Sequence, residues 1–141
     1  MKTLADLRLP QNVRDALRAA QDRLNAEFNV DRMLLFGSAV RGTAGEGSDE
    51  DLLIVLREPA GHHTRDRISS IILDVNLDYE TNLSELIVDR LTWDHGIPSA
   101  LPIHAIIDEE GVPLLRKTQR QRRSATGGRS LLRAWRRPAG T

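Results

Sequence analysis

The sequence contains no cysteine. That excludes disulfides, thiolate metal sites and cysteine nucleophiles, and it fits a reducing compartment. Aromatic residues make up only 4% of the chain, so a core has to be assembled from Leu, Ile, Val and Ala. No apolar run approaches the roughly 20 residues that span a bilayer. The opening stretch, Met1 to Pro10, lacks the apolar segment of a secretory signal. A cytoplasmic protein with no membrane association is expected. Acidic side chains are missing from one region altogether: residues 112–141 carry nine Lys and Arg and no Asp or Glu. The neutral total therefore divides into an acidic body, net −9 over residues 1–111, and a basic tail, net +9.

What remains is ordinary globular material, 40% apolar and 28% charged over 141 residues, enough for one domain with a modest core. Val13, Leu17, Ala20, Leu24 and Phe28 recur at steps of three and four and predict a helix over 11–28, entered at Pro10. The runs 33–36 and 51–56 are short, apolar and bounded by turn residues or charge, and they predict buried strands. Residues 41–48 read as loop, as do Pro59, Gly61 and the pair His62–His63. Ile68, Ile72, Val75 and Tyr79 predict a second helix, 83–88 a third strand, and Ile103–Ile107 a short helix that Gly111 can cap. This order predicts an α+β fold, an α/β sandwich with helices packed on a small mixed sheet. A domain over residues 1–115 and a separate tail over 116–141 follow from the composition. The segment from about Thr118 buries too little apolar surface to offset its ordering entropy, and disorder is expected there. Its arginines could contact RNA phosphates, and Leu131, Leu132 and Trp135 form a small apolar patch among them.

The chemistry concentrates between residues 35 and 55. A strand ends at Gly37, where the missing side chain allows backbone to approach a ligand. Ser38 has the composition of a helix N-cap, and N–H groups at a helix start together with a hydroxyl form a phosphate cradle. Arg41 lies within one turn and can add a charge-assisted contact to an anion. Asp49 and Asp51 are two residues apart at the entrance of a strand, so both carboxylates point to one face. About 5 Å apart at an effective dielectric of 20 they would repel by roughly 3 kcal/mol, a term that a divalent cation reverses. Hard Mg²⁺ prefers such oxygens, so a phosphate grip beside a two-carboxylate metal site suits metal-assisted phosphoryl or nucleotidyl transfer.

The run Gly37-Ser38, ten residues, then Asp49-x-Asp51 resembles the signature of the DNA polymerase β-like nucleotidyltransferase superfamily. Arg41-Gly42 inside the spacer and Ser48 before Asp49 resemble its small prokaryotic members, the minimal nucleotidyltransferases. The resemblance spans about residues 11–115 and is strongest over 33–56. It implies a mixed sheet with flanking helices, nucleotide binding by Gly37, Ser38 and Arg41, and metal binding and catalysis by Asp49 and Asp51. A third carboxylate on a later strand often completes the family's site. Glu85, in the run Leu83-Ser-Glu-Leu-Ile-Val, is the candidate for it as catalytic residue and metal ligand, although Asp is more usual there. The resemblance further implies ATP as substrate with Mg²⁺, and similarity to the antitoxin of MNT–HEPN pairs, which adenylylates a tyrosine on its RNase toxin. A transferase acting on a small molecule or an RNA end, and a non-catalytic toxin-binding module, are the alternatives. Asp74 and Asp78 fit a solvated helix face and Asp89 a loop. The four histidines lack metal-ligand spacing, and Trp93 fits a packing anchor.

Overall fold

The computed structural model of the chain describes residues 3–42, 49–96 and 101–114. Leu4–Asp6 make one 3-10 turn. The regular elements that follow are α1 (Gln11–Glu27), β1 (Val30–Phe36), α2 (Ser38–Arg41), β2 (Glu50–Leu56), α3 (His62–Tyr79), β3 (Leu83–Asp89), α4 (Arg90–His95), α5 (Pro102–Glu110) and β4 (Val112–Pro113). The strands form one mixed sheet in the order β3-β2-β1-β4, antiparallel except for the parallel pair β2–β3. The architecture is the expected α+β sandwich. No helix among the described residues is long and apolar enough to cross a membrane.

The apolar periodicity of α1 becomes its buried stripe, Val13, Ala16, Leu17, Ala20 and Leu24. β2 lies between two other strands and is covered on both faces, which explains its unbroken run of buried residues from Leu52 to Leu56. Alternation divides that run. Leu52, Ile54 and Leu56 join Met33, Leu35, Leu83 and Ile87 under α1 and α3. Leu53 and Val55 join Trp93 of α4, Ile107 of α5 and the half-buried Leu34, Phe36 and Val88 on the other face. Trp93 is 2% exposed and stacks on His104 at 4.3 Å, so it is a packing anchor. His104 also faces Asp108, Nδ1 to Oδ2 3.3 Å, one turn along α5.

Several details differ from the sequence reading. His62 and His63 are the first two residues of α3 and not loop; Gly61 in extended conformation is its cap. Asp89 is not loop either. It ends β3 and caps α4, accepting the Thr92 N–H at 2.9 Å, and hydrogen bonds from Thr92 hold its carboxyl below the usual range. Gly111 does end α5, but at φ −61°, so the reason is space and not left-handed backbone. A Cβ there would lie 2.6 Å from the Ile107 carbonyl oxygen and 2.9 Å from Leu34 Cδ2. Asp78, on the exposed side of α3, pairs with Arg23 of α1 at 3.0 Å. Ser48, Pro98, the rest of the 43–48 loop and the tail beyond residue 114 lie outside the described residues.

β3 is an edge strand whose outer side is partly closed. On its inner side the Glu50 N–H donates to the Asn82 carbonyl at 3.0 Å. Leu83 has the opposite parity, and the Asn76 side chain of α3 takes both its backbone groups: Nδ2 donates to the Leu83 carbonyl at 3.1 Å, and Oδ1 accepts the Leu83 N–H at 2.8 Å. The same Oδ1 accepts from Thr81 Oγ1 at 2.9 Å. Two rungs further along, Arg65 Nη1 donates to the Ile87 carbonyl at 3.0 Å. Asn76→Ala removes three hydrogen bonds around a half-buried strand start. It is expected to cost about 1–3 kcal/mol in urea unfolding, with the midpoint moved and the m-value unchanged.

Candidate active site

β1 ends at Phe36 and the chain turns at Gly37 with φ +87° and ψ −154°, a conformation that L side chains rarely adopt. Space makes the same demand. The antiparallel register sets Phe36 opposite Asp51, and a Cβ added at Gly37 would collide with Oδ2 of Asp51 while lying 3.3 Å from its Cγ. The backbone of the turn therefore rests directly on a carboxylate. Gly37, and not Ser38, is the N-cap of α2; Ser38 is its first helical residue. The first bonds of this single turn run from the Val40 and Arg41 N–H groups to the Gly37 carbonyl, at 3.0 and 3.2 Å. The Ser38 and Ala39 N–H groups precede them, where helix geometry offers no intrahelical acceptor. Gly42, at φ +80°, ends the turn.

Asp49 stands exposed at the entrance of β2, and Asp51 is half-buried on the strand. Burial first, and then the charge of Asp49, push the Asp51 carboxyl above its ordinary value, while Arg41 pulls it back. Asp49 and Arg41 are thus each within electrostatic reach of Asp51, whose carboxylate lies against the Gly37 turn. Arg41 is itself paired: its Nη1 lies 3.2 Å from Oε1 of Glu110, the last residue of α5. Glu50 has the opposite parity, with Leu52 on the α1/α3 face, and is 8% exposed. Burial, Asp49 and Asp51 push its carboxyl up as well.

Glu85 does not join this group. The parallel register pairs Leu52 with Glu85 and Asp51 with Ser84. Glu85 therefore shares the face of Leu83 and Ile87, under α3, while Asp51 shares the face of Leu53, Val55 and Phe36. A charge of the right kind in the right strand sits at the wrong parity, and Ser84, exposed, takes the place beside Asp51. Among the described residues no group of three His, Cys, Asp or Glu could hold a metal ion. Two carboxylates are nevertheless a donor set that suits Mg²⁺, which is commonly bound through one or two carboxylates, substrate phosphates and water. The raised Asp51 carboxyl, beside a second acid, is the electrostatic sign of such a site. Neither Ser84 nor Glu110 was a sequence candidate. Strand parity counted from Asp51 could have found Ser84 once the register was known. Nothing local marks Glu110, which is 69 residues from Arg41.

The raised carboxyls have a consequence for stability. The folded chain resists ionising Asp51 and Glu50, so above the ordinary carboxylate range they lower its stability, and the penalty vanishes as the pH falls below that range. Asp51→Asn keeps the shape and removes one of the charges. Without divalent cation it is expected to raise the melting temperature at pH 7 and to flatten the pH dependence between about 4 and 7. If the two carboxylates bind Mg²⁺, any stabilisation of the unaltered chain by millimolar Mg²⁺ should be lost in this variant. Thermal scans with EDTA and with Mg²⁺ measure both effects.

A search of curated proteins returned no match. Among solved structures, the chain is similar to a candidate nucleotidyltransferase from Sulfolobus solfataricus, with 16% identity, 79% of this chain and 92% of the other covered, and a TM-score of 0.46. A toxin–antitoxin complex with AMP-PNP gives 17% identity, coverage of 92% and 93%, and a TM-score of 0.48. A mutant of the toxin–antitoxin MntA–HpeT gives 18%, 94% and 95%, and 0.45. The family model described as a nucleotidyltransferase domain matches residues 16–99, which hold the Gly37 turn, Asp49, Asp51 and the whole of β3. The chain belongs to the nucleotidyltransferase-domain family.

Proposed function

We propose that this chain is a Mg²⁺-dependent nucleotidyltransferase that moves AMP from ATP to a tyrosine hydroxyl of a HEPN-type RNase toxin, acting as its antitoxin in the cytoplasm. The observation that carries the transferase reading is the contact of the Gly37 turn with Asp51, with Asp49 and Arg41 in electrostatic range. A triphosphate laid on the Ser38 and Ala39 N–H groups and the Ser38 hydroxyl, with Arg41 alongside, would have its charge beside Asp49 and Asp51. Those two carboxylates would hold Mg²⁺, which supplies charge neutralisation and orientation of the phosphates when bound. The acceptor oxygen forms a bond to the α-phosphorus as the bond from that phosphorus to the bridging oxygen breaks. Pyrophosphate leaves, and the hydroxyl proton passes to water. Glu85, on the other face of the sheet, has no part in this step.

ATP, the tyrosine acceptor and the HEPN partner rest on the resemblance of the Gly37–Asp51 segment to minimal nucleotidyltransferase antitoxins.

Incubation with α-labelled ATP, Mg²⁺ and the folded partner toxin is expected to label the toxin on tyrosine and to silence its RNase. Asp49→Ala should lower the labelling rate more than about 100-fold, or about 2.7 kcal/mol of barrier, without loss of toxin binding. Label appearing on RNA ends or a small molecule instead would overturn the acceptor. Neutralisation that survives Asp49→Ala undiminished would overturn catalysis in favour of docking.

A further inference from the structure

Arg41 stands between two sets of acidic partners, Asp49 and Asp51 on one side and Glu110 on the other. Its charge reaches the Asp51 carboxyl, and two neighbouring carboxylates attract a guanidinium strongly. An arginine settled on them would occupy the metal position and turn its donors away from the phosphate turn. The structure shows a different arrangement, in which one corner of the guanidinium, Nη1, is held at 3.2 Å by Oε1 of Glu110.

Both ends of that ion pair hang from β1. Arg41 follows β1 through the Gly37 turn. Glu110 ends α5 where Gly111 is pressed against Leu34 and Ile107, its N–H donating to the Ile107 carbonyl at 2.7 Å. The next two residues, Val112 and Pro113, pair with Leu35 and Leu34 of β1. The short strand β4 thus fixes the end of α5 beside the phosphate turn, and Glu110 reaches Arg41 from a rigid base. A guanidinium has five donors in a planar fork, so one corner can be anchored while the remaining edge stays available to a phosphate.

On this geometry, and resting on the nucleotide grip proposed above, we infer that Glu110 is a positioning residue: it holds Arg41 off the metal carboxylates and aims its free edge at the triphosphate. The pair is half-exposed, with side chains 49% and 36% accessible, so its stabilising value is small and its effect lies in where the cation sits.

The test is equilibrium binding to the full chain. Mn²⁺ binding is read by electron paramagnetic resonance, and Mg²⁺-dependent binding of a fluorescent ATP analogue by anisotropy. Glu110→Gln is expected to weaken both by about three- to fivefold, the ceiling for a partly exposed ion pair, with an unchanged melting temperature. Arg41→Ala should leave Mn²⁺ binding as tight as in the unaltered chain or tighter. In the Arg41→Ala background, Glu110→Gln should then have no further effect on Mn²⁺. Equal binding by Glu110→Gln and the unaltered chain overturns the inference and leaves the transferase reading intact. So does a loss that persists without Arg41, because Glu110 would then act through its own charge. An unaltered chain that binds neither Mn²⁺ nor nucleotide overturns both.

Discussion

The site depends on one close approach, the backbone of Gly37 against the carboxylate of Asp51. It constrains residue 37 twice, through a positive φ and through the space a side chain would need. It also couples two strands: the turn belongs to the end of β1 and the carboxylate to the start of β2, and their antiparallel register brings Phe36 opposite Asp51. A shift of one residue in that register would turn Asp51 to the α1/α3 face and leave the Gly37 turn without a carboxylate beneath it. The apolar burial on both faces of β2 is what fixes the register, since Leu52 to Leu56 have nowhere else to go. Core packing and site geometry are therefore one constraint seen from two sides.

The electrostatics show what that arrangement costs. Asp49, Glu50 and Asp51 are consecutive acids at a strand entrance, and two of them are pushed toward the protonated form by burial and by each other. Folding tolerates this because the core beside these residues is apolar and buried, and because Arg41 supplies a counter-charge to Asp51. Functional sites often carry such local destabilisation, which a bound cation and its anionic ligand relieve.

Much of this was legible in the sequence. The apolar steps of 11–28 and the short runs before Gly37 and after Asp51 gave the helix and the two central strands, because burial imposes a period that composition cannot hide. The Gly37, Asp49 and Asp51 cluster was legible because a glycine and two acids at fixed spacing have few other reasons to coincide. Glu85 was placed in the right strand but at the wrong parity. One-residue register is set by pairing with β2, and Leu83 and Ile87, not the charge, decide which face turns inward. α4 was missed because its six residues are too few to show a period, and its cap, Asp89, reads as loop until Thr92 is seen to donate to it. His62 and His63 read as loop because Pro59 and Gly61 precede them, yet the helix begins at once after the glycine. Glu110 had no local signal at all; its partner is brought to it by the two-residue β4.

The side-chain closure of β3 also limits how the molecule can associate. A bare strand edge offers a row of free donors and acceptors to any extended segment that drifts past. Here the Leu83 rung is occupied by the Asn76 amide, and the Ile87 carbonyl by Arg65. A visiting strand would have to evict both before its own ladder could form, and Glu85 alone, between them, is too short a foothold to begin. The β3 edge is thus guarded at these rungs against growing sideways into fibrils or swapped oligomers.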